Sequence, residues 1–247
     1  MIGMTKDGRP TALITGANKG IGLAIAKGLG ELGYRVWVGA RDAERGRVAV
    51  ATLVAAGIEA HFLELDVSDA RSVHDAVSAL ARETEHLDVL VNNAGISLGS
   101  AQKPSQQTMD VLQAVYDVNV FGPIRVTQAF LPLLERAAGA RVVMMSSGLG
   151  SLTLVRDPAS VYSTVNLLAY SSSKTALNAV TVAFAKELEP RGIKVNAVEP
   201  GNVATDLNEN QGMLTPEQGA ASAIRLATIG ADGPSGGFFG LEGPQPW

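Results

Sequence analysis

Short apolar runs alternate along this chain with longer segments whose apolar residues recur every three to four positions. Ala12–Thr15, Tyr34–Gly39, Ile58–Leu65, Leu87–Val91, Arg141–Met145 and Ile193–Val198 carry the β-rich runs. Ile21–Leu32 has helical spacing through Ile21, Ile25, Leu29 and Leu32 and stops at Gly33. Further helices are expected over Ala43–Ala56, Ser68–Thr84 with Ser68 as its cap, Ala169–Glu189 and Ala220–Thr228. Gln107–Ala137 reads as one long helical region bent near Pro123. Apolar strands separated by helices of this length imply a parallel sheet covered on both faces. With right-handed crossovers the expectation is an α/β fold, a Rossmann-like doubly wound sheet. No repeat or long linker interrupts the alternation, so residues 1–247 are expected to form one domain. The polar stretch 202–217 breaks the rhythm and reads as a lid.

Composition supports a folded core and narrows the chemistry. The chain has 247 residues, 46% hydrophobic and 18% charged, which is too apolar for disorder. A net charge of −4 shows no basic footprint for nucleic acid. There is no cysteine, which excludes disulfides, thiolate catalysis and zinc–sulfur sites. His61, His74 and His86 are not at metal-ligand spacing, and no metal is expected. The first ten residues carry Lys6, Asp7 and Arg9 with no apolar signal core, and no run of 18 apolar residues suggests a membrane span. A cytoplasmic protein is the expectation.

The chemistry begins where the first strand meets the first helix. Gly16, Gly20 and Gly22 fall in that turn. Glycines there let the backbone approach a pyrophosphate, and the helix N-terminus supplies free N–H groups. An acid at the end of the second strand would accept bonds from a ribose 2′-OH and favour NAD. Here that strand runs into Ala40 and Arg41, and Lys19 is a second cation in the loop. Both point to the 2′-phosphate of NADP(H), against which Asp42 is the one nearby acid. Downstream, Tyr170 and Lys174 are four residues apart and share a helix face. A phenol is a weak acid, and a neighbouring ammonium is expected to lower its pKa. Ser146 and Ser147 end the strand before it, where a hydroxyl can stabilise charge developing on a carbonyl oxygen. Tyr162 is a competing tyrosine, but position 166 is Asn166 and not a lysine.

These motifs, taken in order, resemble the short-chain dehydrogenase/reductase family over nearly the whole chain. The matching stretches are Thr15–Gly22, Asp66 and Val67, Asn92–Gly95, Asn119, Ser147, Tyr170 with Lys174, and Pro200 with Gly201. Asn18, Lys19 and the stretch Ser146–Ser151 resemble the carbonyl reductase branch. The resemblance implies catalysis by Asn119, Ser147, Tyr170 and Lys174. It implies NADP(H) held by Gly16, Asn18, Lys19, Gly20, Ile21, Gly22, Arg41, Asp66, Val67, Asn93, Ala94, Gly95, Tyr170, Lys174, Pro200, Gly201, Val203 and Thr205. It also implies that Lys174 holds the nicotinamide ribose and that Asn119 holds a water in a proton relay. Leu149, Val155 and Asn202 are expected to line the substrate pocket beside Ser147 and Tyr170. The expected reaction is NADPH-dependent reduction of a ketone or aldehyde, reversible as alcohol oxidation. A 3-oxoacyl thioester reductase and a non-catalytic NADP sensor are the alternatives. The distance from Ser147 to Tyr170 is long for the family, with an insertion at about 152–168, as in carbonyl reductases. In many members the tyrosine-bearing helix builds a subunit interface, so a homodimer, a homotetramer and a monomer all stay open.

Overall fold

Residues 8–99 and 102–247 are described by the structure, a computed structural model. The opening segment weighed above as a signal sequence lies mostly outside them. Eight strands form one sheet: β1 (Thr11–Thr15), β2 (Arg35–Ala40), β3 (Ala60–Glu64), β4 (Val89–Asn92), β5 (Arg141–Met145), β6 (Lys194–Val198), β7 (Phe238–Gly240) and β8 (Gly243–Pro244). Their order is β3-β2-β1-β4-β5-β6-β7-β8, parallel except for the antiparallel β7–β8 pair. The chain winds outward from β1 through β2 and β3, then returns to place β4 beside β1. That reversal leaves a crevice at the carboxyl ends of β1 and β4, where such sheets bind ligands.

Side-chain alternation explains why both faces are apolar. In β1, Leu13 points into one layer and Ala12 and Ile14 into the other. The Leu13 layer packs against α3 (Ala70–Glu83), α5 (Gly122–Leu134) and α7 (Leu168–Leu188) through Leu80, Phe130, Leu134 and Leu177. The Ile14 layer packs against α1 (Gly20–Glu31), α2 (Ala43–Ala55) and α8 (Pro216–Ala227) through Ile25, Leu29, Leu53 and Leu226. Among the described residues no helix is long and apolar enough to cross a membrane.

Two local expectations are corrected. Asp69, not Ser68, caps α3 by accepting from the Arg71 amide at 2.9 Å, while the Ser68 hydroxyl turns back to Asp66 Oδ1 at 2.6 Å. The long helical region is not one helix bent at Pro123. It divides into α4 (Met109–Tyr116), a π turn at Asp117–Phe121, and α5, with Pro123 directly after the π turn. The 202–217 stretch runs into α8, which Thr215 and Gln218 start at Pro216 with a reciprocal cap. The 152–168 stretch contains a short helix, α6 (Leu152–Arg156), capped by the Ser151 hydroxyl.

Candidate active site

The turn after β1 is built for close approach. Gly16 has φ +64°, and a Cβ there would lie 2.9 Å from the Ala94 Cα. A side chain would therefore fill the space between the loop and the end of β4. Lys19, the residue before α1, makes no side-chain cap, and the first turn of α1 carries no acid. Its free amides face the crevice as an anion site needs. Asn93 anchors this loop from the neighbouring strand end. Its amide donates to the carbonyls of Thr15 at 2.8 Å and Gly16 at 3.3 Å, and its backbone N–H meets Thr15 Oγ1 at 3.0 Å. The Asn93 side chain is thus spent on the loop itself. Asn92 is buried and donates to Thr127 Oγ1.

Arg41 stands exposed just past β2. The nearby acid, Asp42, is turned to its own helix: it caps α2 through the Arg45 amide at 3.0 Å and pairs with the Arg45 guanidinium at 3.3 Å. Asp66 accepts from the Ser68 amide and hydroxyl. Burial works to raise its carboxyl, but those bonds and the charges of Arg41 and Arg125 hold it below the ordinary value. Val67 faces the core, leaving only its backbone at the crevice. Lys19 is not a free cation, because it pairs with Asp206 in the 3₁₀ turn at Asp206–Asn208. Arg45 also acts on Asp206, which places a third cation in the cluster. Sequence reading passed over Arg45, although its position four residues past Arg41 was the available signal.

The groups expected to react gather at the ends of β4 and β5. The π turn aims the buried Asn119 inward, where its carbonyl accepts from the Ile96 N–H at 2.8 Å and its amide donates to the Ile96 carbonyl at 2.9 Å. The amide also reaches Ser173 Oγ at 3.0 Å. Ser146 is buried and bonds Asn178 at 2.6 Å, whereas Ser147 is half-buried, its hydroxyl accepting from the Leu149 amide at 3.2 Å and near enough to Tyr170 to favour its phenolate. Lys174 Nζ donates to the Met145 carbonyl at 2.7 Å and lies 5.5 Å from the centre of the Tyr170 ring. A Cβ added at Gly95 would lie 3.5 Å from Asn119 Oδ1 and 3.6 Å from Lys174 Nζ, so these two side chains flank the turn after β4.

The expected lowering of the tyrosine pKa is not what this arrangement does. Burial pushes the Tyr170 hydroxyl up to about 12, against the Ser147 bond that favours phenolate. Burial also pulls the Lys174 ammonium down to about 8 from 10.5. Between those two values the unfolded chain holds a proton that the folded protein has released, so stability rises with pH. Above pH 10 Tyr170 acts in the opposite sense, because the folded phenol keeps its proton up to about 12. From pH 8 to 10, wild type should therefore gain on the order of 2 kcal/mol over Lys174→Met. Melting temperatures of the two proteins across that window check this. A constant difference would mean that Lys174 titrates at its ordinary pKa.

Of the expected pocket residues, Leu149 and Val155 are half-buried on the Ser147 side. Asn202 is exposed and accepts from the Asn208 amide at 3.2 Å, within the polar stretch before α8. The Val203 side chain is buried against Gly219 of α8. Thr205 reaches over Gly20, to 3.5 Å from a Cβ placed there. Asn18, Ile21, Pro200 and Gly201 are all half-buried at the crevice rim. A surface groove of about 710 Å³ lies elsewhere, along Met109, Leu112 and Tyr116 of α4 and Phe121 of the π turn.

Known proteins resemble this chain in sequence and fold. The family described as short chain dehydrogenase matches residues 10–213. A short-chain dehydrogenase, anuI, of Penicillium roqueforti is 35% identical over 229 residues, spanning 90% of each chain. The (+)-neomenthol dehydrogenase of Arabidopsis thaliana is 32% identical, spanning 92% of this chain and 95% of its own. The NADPH-bound carbonyl reductase from chicken fatty liver superposes with a TM-score of 0.85 at 28% identity, covering 97% of this chain and all of that one. With a family match over most of its length and relatives aligned nearly end to end, this chain belongs to the short-chain dehydrogenase/reductase family of oxidoreductases.

Proposed function

We propose that the chain reduces a ketone or aldehyde to an alcohol with NADPH, reversibly, as a single dinucleotide-binding domain. The observation that carries this reading is the convergence of Ser147, Tyr170 and Lys174, with Lys174 Nζ 5.5 Å from the Tyr170 ring and bonded to the end of β5, beside the glycine turn after β1. The bound nicotinamide would supply hydride to the carbonyl carbon. Ser147 would hold the carbonyl oxygen as charge develops on it, and Tyr170 would protonate that oxygen. A phenol raised to about 12 is protonated at neutral pH, the form that reduction requires. Lys174 would hold the nicotinamide ribose and favour phenolate once the proton has left. Asn119 would hold a water beside Lys174. Leu149 and Val155 give the pocket an apolar wall, which suits a small or hydrophobic carbonyl compound.

Gly16, Gly20, Ile21 and Gly22 would cradle the pyrophosphate, with Ala94 and Gly95 under the adenosine and ribose portions and Pro200, Gly201 and Thr205 over the nicotinamide end. Arg41 and Lys19, joined by Arg45, would hold the 2′-phosphate. The commitment of Asp42 to its helix cap supports this, since it leaves Arg41 without a competing carboxylate of its own loop. The carbonyl reductase of similar fold binds NADPH, in accord with the same reading.

NADPH oxidation against aromatic, aliphatic, keto-ester and acyl-thioester carbonyls tests the reaction. Turnover of none of them would defeat the assignment, and turnover of thioesters alone would move it to acyl-chain reduction. Cofactor choice has a separate test. Arg41→Ala should raise the KM for NADPH by about ten- to a hundredfold, the loss of one charge-assisted bond. The KM for NADH should stay near the wild-type value. An equal effect on both cofactors would remove Arg41 from the phosphate site.

A further inference from the structure

Tyr162 belongs to the segment that joins α6 to α7, and it has no part in the reaction as proposed. Its hydroxyl donates to Glu199 Oε1, just past β6. Glu199 is 9% exposed, and its backbone N–H donates to the Phe239 carbonyl at 2.8 Å, so it is part of the sheet frame. The other hydrogen bonds of this segment are local: Asp157 to Thr153, Ser160 to Asp157, Ser163 to Ser160, Val165 to Tyr162. The Tyr162 hydroxyl is thus what connects the middle of the segment to the sheet.

The ring of Tyr162 has an equally definite seat. It lies directly on Gly148, where a Cβ would collide with the ring and the hydroxyl. Gly148 follows Ser147 and opens the 3₁₀ turn Gly148–Gly150 that carries Leu149. The phenol therefore presses on the turn that aims the Ser147 hydroxyl, while its far end is held by Glu199. A free acid would need an uncommitted hydroxyl. This one already gives its hydrogen to a carboxylate, and burial together with Glu199 makes the phenol harder to ionise.

We infer that the Tyr162–Glu199 pair is a strut that positions the Ser147 turn and fixes the wall of the substrate pocket. Tyr162 is then a positioning residue, acting through Gly148 on Ser147. The inference rests on the proposed reaction, in which Ser147 and Tyr170 meet the carbonyl oxygen. Small displacements of such groups are felt mainly in kcat, because alignment in the transition state is lost while the cofactor site is untouched. A slackened wall should also admit wider substrates.

The test compares Tyr162→Phe, Glu199→Gln, Glu199→Ala and the Tyr162→Phe/Glu199→Ala double variant with one compact aliphatic ketone and one bulky aryl ketone. Tyr162→Phe keeps the ring on Gly148 but frees it from Glu199. Its kcat for the compact ketone should fall about three- to tenfold, the factor expected for one ordinary hydrogen bond. The ratio of kcat/KM for the bulky over the compact ketone should rise, and the Kd for NADPH should not change. Glu199→Gln keeps an acceptor and should stay within about twofold of wild type, with the same pH profile. Glu199→Ala should match Tyr162→Phe, and the double variant should be no worse than either, since both remove one interaction. Additive losses would overturn the strut, as would a Glu199→Gln protein as impaired as Glu199→Ala. So would a Tyr162→Phe protein with a lowered Tm but unaltered kcat and substrate ratio. Wild-type turnover and its loss in Tyr170→Phe test the reaction itself, so failure of the strut and failure of the reaction are read from different variants.

Discussion

Tyr170→Phe is expected to bind NADPH normally and to leave ketones almost unreduced. The substitution keeps the ring, so its packing in α7 and its place beside Lys174 are preserved. What it removes is the hydroxyl that meets Ser147 and the proton that hydroxyl carries. Without that proton, charge building on the carbonyl oxygen must be met by Ser147 and solvent alone. Turnover should fall by roughly 10²–10⁴-fold, the span of a lost general acid. Cofactor affinity should hold, because the glycine turn, Arg41 and Lys174 are unchanged. The measurement is a pair: NADPH fluorescence titration for binding and single-turnover NADPH oxidation for chemistry. A folded variant that keeps most of its ketone reduction would take Tyr170 out of the mechanism. It would then direct attention to a solvent relay, since Tyr162 has given its hydrogen to Glu199.

Lys174→Ala should fail at both steps. Nζ donates to the Met145 carbonyl at the end of β5, so the substitution leaves that carbonyl without its partner and hollows the floor of the site. The same atom is the group proposed to hold the nicotinamide ribose. Losing a charged donor there should cost about 1.5–3 kcal/mol of cofactor affinity, ten- to a hundredfold in Kd. With NADPH saturating, the rate should still be far below wild type, because the ammonium proposed to steady the phenolate once its proton has left is gone. Circular dichroism and Tm of the variant separate these losses from unfolding. Wild-type affinity with reduced turnover would assign Lys174 to the chemistry alone.

Much of this layout was legible in the chain because its signals are local. A short apolar run, a glycine turn and a helix of period 3.6 identify β1 and α1 without any knowledge of the rest. The same rhythm places Arg41, Asp66, Asn93 and Ser147 at strand ends, where a parallel sheet presents its crevice. What stayed hidden depends on partners distant in sequence. The choice between Ser68 and Asp69 as cap turns on the neighbouring Asp66, which takes up the Ser68 hydroxyl. Lys19 reads as a free phosphate cation until Asp206 is brought to it by the fold. Tyr162 reads as a rival acid until Glu199 is found at its hydroxyl. The last two strands, β7 and β8, are too short for any period to register.

The π turn at Asp117–Phe121 makes the central helix an instrument that counts residues. A π turn holds one residue more than the α turns on either side of it. Deleting one residue there would let α4 and α5 run on as one helix, with Pro123 then inside it. The cost would appear as rotation, about 100° between whatever lies before and after the deletion. Asn119 would leave the Ile96 backbone, and α4 would turn a different face toward α7. A surface helix can shed a residue and change little, but this one transmits the loss straight to the reacting groups. Length variation in a lineage of such proteins should therefore collect in the α6–α7 segment and the lid stretch, and be absent between Tyr116 and Gly122.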